Sequence, residues 1–591
     1  MNTYQLLTAV RRIPASVLAH QLRRKTRDTL VPRLAGIYRR RMERAADRLP
    51  EISENRSLPV DLADFIALYY RSSPSACREA AHGRFDLMGT TVDFGSVNGI
   101  DWRHRLPTEH DHHLWRMKLC QLEILHSLIA DGRREDEATA LALIASFERD
   151  AGFDLADPFR TIWSPYGASH RILSTLSGFA IAQSRGMLGP ELRDRVARFL
   201  HRDAAFVRAN VEHDLCNNHT ERNLAALCLY GMACMPLRKR QATRLDREVR
   251  TIIERTILPD GMQIERSAMY QGLSVMALRI FAAADFLNAS TRALATERGA
   301  AAERAWLLLS HRDGDIALFN DSWIGETPRA RDVLKQPESR PEKSILPNAG
   351  YIRVASGEID VWMDAGDIGP EWNPGHGHAD FLGIEVDVAG ERLVVDPGTS
   401  QYSTGPRRTW ERSAKAHNGP CFNGFEPVEY FGCFKVGQLA AAEMTHYEPF
   451  ERAVGGRLVT SRGVVRRSVS VPSAGTILVT DNWTGTSDDC RSRFLVPADW
   501  DLKMDKGGGI RLSKGLAEAH LEALYGQIEL GGTDVWCRRY MAPEPAHVLT
   551  LVPEQGDAGR YATLRVVHVP PVGQPETKEA RTFAPASGCE Q

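Results

Sequence analysis

The sequence predicts a multidomain chain that is helical first and β-rich second: an N-terminal (α/α) toroid of helices followed by a C-terminal antiparallel β-sandwich. Three observations carry this. Apolar residues recur at three- and four-residue spacing through the first half. Beyond about residue 330 the period shortens to two. The two patterns do not interleave, which excludes a doubly wound parallel sheet. At 591 residues the chain has room for several domains of about 150 residues each. The expected division is a basic N-terminal extension over 1–50, the toroid over 51–335 and the sandwich over 345–591.

The elements follow in order. The extension carries Arg11, Arg12, Arg23, Arg24, Lys25, Arg27, Arg33 and the run Arg39-Arg40-Arg41. Its apolar residues are interrupted before they make the core of a signal peptide. One reading is a solvated helical extension. The other is a basic amphipathic arm in peripheral contact with an anionic membrane surface or an acidic polymer. Helical spacing then runs through Met117 to Ala130, Ala138 to Phe147, Ile172 to Gln183, Asn223 to Met235 and Ala268 to Leu287. Asp131-Gly132 and Arg185-Gly186 place glycine where helices end. No repeated motif marks a regular solenoid. The polar, proline-containing stretch Arg329 to Asn348 reads as a linker. After it, Leu382, Ile384, Val386 and Val388 alternate with Gly383, Glu385 and Asp387, Ala389-Gly390 turns the chain, and Arg392 to Val395 returns. That is a hairpin with one face buried. Further strands are expected at Gly463 to Val471, Thr476 to Asp481, His547 to Val552 and Thr563 to Val569.

Composition removes several function classes. An apolar fraction of 43% and a charged fraction of 25% are those of an ordinary globular protein. The 74 basic and 75 acidic residues nearly cancel, so no global field points to nucleic acid. Ten cysteines without a CxxC pair argue against a zinc ribbon or a dithiol redox site. Their scatter fits a reducing compartment, and no run approaches the 18 or so apolar residues of a membrane span. The location expected on these grounds is cytoplasmic or associated with the inner face of the membrane, with periplasmic export by an unrecognised signal as the alternative.

Three segments hold polar residues that a core would not choose. The first is Asn217-Asn218-His219-Thr220-Glu221, which also reads as a helix N-cap. The second is Asp260-Gly261-Met262-Gln263-Ile264-Glu265-Arg266-Ser267-Ala268-Met269-Tyr270-Gln271, a turn that opens the next helix. The third is Trp372-Asn373-Pro374-Gly375-His376-Gly377-His378-Ala379-Asp380, with Asp396-Pro397-Gly398-Thr399 behind the hairpin and Ala416-His417-Asn418 further on. His-x-His in an extended chain puts both imidazoles on one side. The hairpin folds Asp396 back toward them and His417 can reach the same place. Two histidines and a carboxylate are a sensible zinc set.

Together these segments resemble the heparinase II/III family of polysaccharide lyases. The resemblance is strongest in PGHGHADFLGIEVDVAGERLVVDPGTSQY and RRTWERSAKAHNGP. It continues upstream in NNHTERNL and DGMQIERSAMYQ, and His113-Leu114-Trp115, Trp163 and Arg171 look like its helical landmarks. It implies a toroid followed by a sandwich, agreeing with the periodicity. It also implies β-elimination at a uronic acid in an anionic polysaccharide, a carbon–oxygen lyase activity tied here to surface-polysaccharide synthesis or turnover. Asn218 and His376 then resemble the pair that neutralises the uronate carboxylate. Tyr270 resembles the family tyrosine, acting as base, acid or both, with His219 as the alternative base. His378, Asp396 and His417 match the zinc positions, where the metal would brace the structure. Glu221, Glu265 and Arg412 are expected either to bind substrate or to support from behind the residues that do. Arg407 and Arg408 form a patch suited to carboxylate or sulfate.

Two other classes compete. A glycoside hydrolase on the same scaffold would use two carboxylates, for instance Glu265 and Asp321, but leaves the His-x-His cluster without a task. A non-catalytic polysaccharide-binding or assembly protein would keep the arginines and tryptophans and tolerate loss of Tyr270 and His219.

Overall fold

The computed structural model describes residues 12–47, 58–154, 158–234, 237–334, 343–448, 453–485, 489–556 and 559–570. Arg11, Cys589, the centre of the expected linker and both expected domain boundaries lie outside the described residues. The basic extension folds as two helices, Ala15–Leu30 and Ala35–Ala46, joined by a short turn. They are docked rather than free: Val17, Met42 and Ala46 are buried. Arg24 pairs with Asp214 at 3.1 Å, and the Arg27 guanidinium lies 4.2 Å from the Phe159 ring centre.

The helical domain alternates two kinds of helix. Pro165–Ser184, Asn218–Cys234 and Ala268–Ala283 are buried on nearly every side. Pro190–Ala209, Lys239–Thr256 and Ala289–Leu308 follow each in turn and keep a charged outer face. An inner ring alternating with an outer one is the toroid predicted from the periodicity. Lys239–Thr256 shows how an outer helix is specified: Leu245, Val249, Ile252, Ile253 and Thr256 make one buried stripe. Two helical expectations need correcting. The run from Met117 to Ala130 is broken into Leu114–Gln121 and Leu125–Ala130 by Leu122, whose φ of 50° is left-handed. The buried Arg171 takes the Cys120 carbonyl at 2.8 Å, capping the first helix there, and pairs with Asp203 at 2.7 Å. The helix expected from Asn223 begins at Asn218, which brings Asn218 and His219 onto its first turn.

The second half is antiparallel throughout its named strands. A five-stranded sheet runs in sequence order through Lys343–Leu346, Tyr351–Ser356, Ile359–Asp364, Ile384–Val388 and Glu391–Val394. A nine-stranded sheet is built from Ala442–Glu448 onward, and a four-stranded one joins Gln527–Arg539, Ala542–Val552, Cys490–Pro497 and Pro420–Phe422. The expected strands at 463–471, 476–481, 547–552 and 563–569 all fall on these sheets. Ile352, Val361 and Val386 share an apolar core with Val465, Val479 and Leu549 of the other two sheets. The five-stranded sheet is also covered on its opposite face: Tyr351 and Trp362 belong to the core of the helical domain. The hairpin read as buried on one face is therefore buried on both. Its alternating acids are the correction in detail. Asp387 and Glu385 each lie 2.7 Å from a different nitrogen of His311, which the helical side sends across the interface. The Trp362 indole donates to the Leu308 carbonyl at 2.7 Å beside it.

Candidate active site

The site is assembled where the two domains meet, from four loops and two helix starts. Asn217 caps the helix that follows, its Oδ1 accepting the His219 N–H at 3.1 Å. Its amide nitrogen donates to Glu265 Oε1 at 3.0 Å, and Asn218 donates to Glu265 Oε2 from both side chain (2.7 Å) and backbone (3.1 Å). Thus the cap and the functional reading of this segment are the same structure. Glu265 is 1% exposed and also accepts from Gln263 Nε2 at 2.9 Å.

The turn Asp260-Gly261 positions this carboxylate. Gly261 has a φ of 92°, and a Cβ there would sit 2.1 Å from the Ala301 carbonyl carbon. Asp260 Oδ2 accepts the Asn348 and Ala349 N–H groups, tying the turn to the start of the β half. Arg266 and Asn320 are both left-handed, at φ 58°, a conformation in which a non-glycine residue is uncommon. They hold each other: Asn320 Nδ2 donates to the Arg266 carbonyl, as does the Tyr351 hydroxyl at 2.6 Å. Ser267 caps the helix Ala268–Ala283 and donates to the Asp321 carbonyl at 2.7 Å. Tyr270 stands on the first turn of that helix.

The His-x-His pair converges as expected, on a carboxylate that the lyase reading had not used. Asp321 Oδ2 lies 2.8 Å from His376 Nδ1, and its Oδ1 lies 2.8 Å from His378 Nε2. Arg408 makes a bidentate pair with the same carboxylate, and Thr399 Oγ1 donates to it at 3.1 Å. Although burial alone would raise the Asp321 pKa, the Arg408 charge and the two imidazoles hold it well below the usual carboxylate range. Both Asp321 oxygens are taken up by Arg408 and the two imidazoles, which is not the arrangement of a carboxyl group open to a glycosidic oxygen.

Tyr270 and His376 meet across the domain boundary. The Tyr270 hydroxyl is 2.7 Å from the Tyr402 hydroxyl and 3.4 Å from His376 Nδ1. Burial, then the Asp321 charge, push the Tyr270 pKa well above 10, so the phenol keeps its proton. Tyr402 is raised in the same way, and the Arg408 guanidinium lies 5.1 Å from its ring centre. Around them, His112 and Phe434 complete an aromatic wall, with ring centres 5.4 and 5.0 Å from that of Tyr402. His219 stacks on Tyr166 at 4.3 Å, and its Nδ1 is 3.3 Å from Glu212 Oε1. That carboxylate orients an Nδ1–H tautomer and leaves Nε2 as the basic nitrogen. Tyr402 and Asp321 are the site residues that sequence reasoning missed in these roles. For Tyr402 the available signal was its place at the end of DPGTSQY.

Burial sets several of the expected residues behind the site rather than in its opening. Arg408 is 1% exposed and is consumed by Asp321. Arg412 is fully buried and donates to the Gly375, Gly377 and Cys433 carbonyls, bracing the histidine loop. Arg407 pairs with Glu411 at 2.7 Å and with Asp534 at 3.3 Å. These arginines therefore do not form an open patch for carboxylate or sulfate. Glu221 is buried and accepts from Ser274 at 2.5 Å; with Glu265 it supports the site from behind. Asn218 gives one of its two amide hydrogens to Glu265, and its buried Oδ1 has no hydrogen-bond partner among the described residues.

The zinc set is changed by one member. Ligand atoms of Asp380, Asp396 and His417 lie within 4.8 Å of one another, so Asp380 stands where His378 was expected. His417 Nδ1 is 2.7 Å from Asp396 Oδ2, while His417 Nε2 and His378 Nδ1 are buried without hydrogen-bond partners among the described residues. Burial, outweighing Asp321, pushes the His378 pKa down to about 3, which keeps it neutral. The two histidine rings are 5.4 Å apart. Two buried carboxyl groups around the His417 imidazole, with His378 alongside, are a donor set that fits zinc.

Comparison with known proteins agrees with this architecture. Residues 338–559 match the family of heparinase II/III-like C-terminal domains. No curated protein matches. A crystal structure of heparinase III superposes with a TM-score of 0.60 at 13% identity, over 89% of this chain and 88% of that one. A mutant of the heparan sulfate lyase HepC from Pedobacter heparinus gives 0.55 at 16% identity, over 92% and 88%. Residues 338–559 are thus similar to heparinase II/III-like C-terminal domains, and the chain as a whole has the fold of the heparinase III structures.

Proposed function

We propose that this protein is a polysaccharide lyase that cleaves a uronic-acid-containing anionic polysaccharide by β-elimination. The observation that carries the proposal is the junction of Tyr270 with Tyr402 and His376, beside Asn218 and the Glu212-oriented His219. In the reaction a base removes the C5 proton, the C4–C5 double bond forms, and the C4–O4 bond breaks with a proton delivered to O4. Tyr270, its hydroxyl held between Tyr402 and His376, is the acid and gives its proton to O4. His219 Nε2, with Nδ1 turned to Glu212, is the base. Asn218 gives one amide hydrogen to Glu265 and has a second to donate to the uronate carboxylate. That binding lowers the cost of the negative charge developing at C5. His376, fixed by Asp321, faces the same carboxyl. Zinc, when bound, supplies a positive charge; Asp380, Asp396 and His417 would hold it, with His378 alongside. These residues tie the histidine loop to the turn after the hairpin, and no proton in this scheme passes through them.

We assign the activity to surface-polysaccharide synthesis or turnover, in the cytoplasm or at the inner face of the membrane. Among the described residues, eight cysteines are free thiols, and no helix is long and apolar enough to cross a membrane. The test is ultraviolet absorbance on alginate, heparan sulfate, hyaluronan, chondroitin and the host's surface polysaccharide, with wild type beside Tyr270→Phe and His219→Ala. Rising absorbance from an unsaturated uronate is expected, reduced by roughly 10²–10⁴-fold in both variants. New reducing ends without absorbance would establish a hydrolase instead. Binding with no new ends, by a folded protein, would establish an assembly role.

A further inference from the structure

The two N-terminal helices present a face that nothing else in the described chain covers. Residues 12–47 hold ten basic residues against three acidic ones, within a chain whose net charge is −1. Two of those acids are already used, Asp28 by Arg27 and Glu43 by Arg39. Arg23, Lys25, Arg33, Arg40, Arg41 and Arg44 have no carboxylate partner among the described residues.

The same surface exposes large apolar side chains. Leu22 is 68% exposed, Ile37 58% and Leu34 50%, with Leu18 and Leu30 also in solvent. On Ala15–Leu30 the inward stripe is Val17, Arg24 and Arg27, while Leu18, Leu22 and Lys25 lie opposite at helical spacing. On Ala35–Ala46, Ile37, Arg40, Arg41 and Arg44 share the outer face, across from the buried Met42 and Ala46. Leucine and isoleucine interleaved with unpaired cations, on helices whose other face is docked, is the pattern of an interfacial amphipathic surface.

We propose that this surface seats the protein on an anionic phospholipid bilayer, with Leu18, Leu22 and Ile37 entering the acyl boundary and the arginines meeting the headgroups. The charge alone would also suit an acidic polysaccharide. The exposed leucines decide between the two, because a hydrated polyanion offers them no apolar phase, whereas a bilayer takes both kinds of side chain. The inference does not depend on the lyase reading.

The test is co-sedimentation of the full chain with vesicles of phosphatidylcholine alone or mixed with phosphatidylglycerol, at near-physiological salt. The variants are Leu18→Ser/Leu22→Ser/Ile37→Ser and Arg33→Gln/Arg40→Gln/Arg41→Gln, each checked by circular dichroism. Binding is expected only with phosphatidylglycerol present, and each triple substitution should weaken it roughly tenfold. No binding, equal binding to both vesicles, or loss in the glutamine variant with full retention in the serine variant would overturn the proposal. The last pattern would assign the surface to a soluble polyanion.

Discussion

Gly377 stands between two histidines that must both reach Asp321. A Cβ at this position would come 2.0 Å from the Ile368 carbonyl oxygen, so even alanine forces the backbone to move. We expect Gly377→Ala to cost about 1–3 kcal/mol of stability and to lower turnover more than that loss explains, because His376 is displaced from Tyr270. Thermal unfolding read beside the lyase assay checks both; unchanged turnover would show that the loop tolerates the shift. At this scale the sequence was legible where a residue type has few other uses. His376, His378, Asp396 and His417 stood out, and the structure brings all four around one region. Arg407 and Arg408 look solvent-facing in the sequence until their buried partners are located, whereas Arg412 takes the supporting place that was one of its two expectations. Asp321, 87 residues away from Arg408 in the chain, left no local sign of that pairing.

The strands behind the site depend on one buried ion pair. Arg467 and Asp481 face each other on adjacent strands, both fully buried, with the guanidinium donating to both carboxylate oxygens at 2.7 Å. Arg467 also reaches the Leu382 and Asn418 carbonyls, one residue on from His417. Arg467→Ala leaves Asp481 charged without its partner, and we expect a loss of about 3–5 kcal/mol, measured by urea unfolding. Arg467→Ala/Asp481→Ala should recover part of it. The hairpin and the histidine loop give a second prediction. Protein purified without chelator should carry about one equivalent of zinc, and Asp396→Asn should lose it and lower Tm. Less than half an equivalent in the wild type would count against the Asp380, Asp396 and His417 set. Elements were read well where the period was clean, as in the hairpin strands Ile384–Val388 and Glu391–Val394. Its second buried face could not be read from the hairpin, since Glu385 and Asp387 are buried by a histidine that belongs to the other domain.

For the molecule as a whole, that histidine is the pH-sensitive joint. Burial and the Arg392 charge lower the His311 pKa, yet Asp387 and Glu385 outweigh them and hold it at about 9. Because the folded value lies above the unfolded one, the stabilisation is fully present below about pH 6.5 and is lost as pH rises through 9. It amounts to something on the order of 3 kcal/mol. Wild type should therefore lose Tm relative to His311→Asn between pH 6.5 and 10; parallel curves would show that the joint does not titrate. The fold order was evident from the change of period alone, but the closeness of the two domains was not, because its contacts join residues from about 50 to nearly 300 positions apart.

Asn218, Glu265 and Tyr270 come from the helical domain, whereas His376 and Tyr402 come from the β half. Neither half is a weakened copy of the whole: the helical half lacks His376 and Tyr402, and the β half lacks Tyr270, Asn218 and His219. Turnover is consequently a logical conjunction, switched on only while both halves are in register, and an inhibitor that wedges them apart need bear no likeness to a sugar.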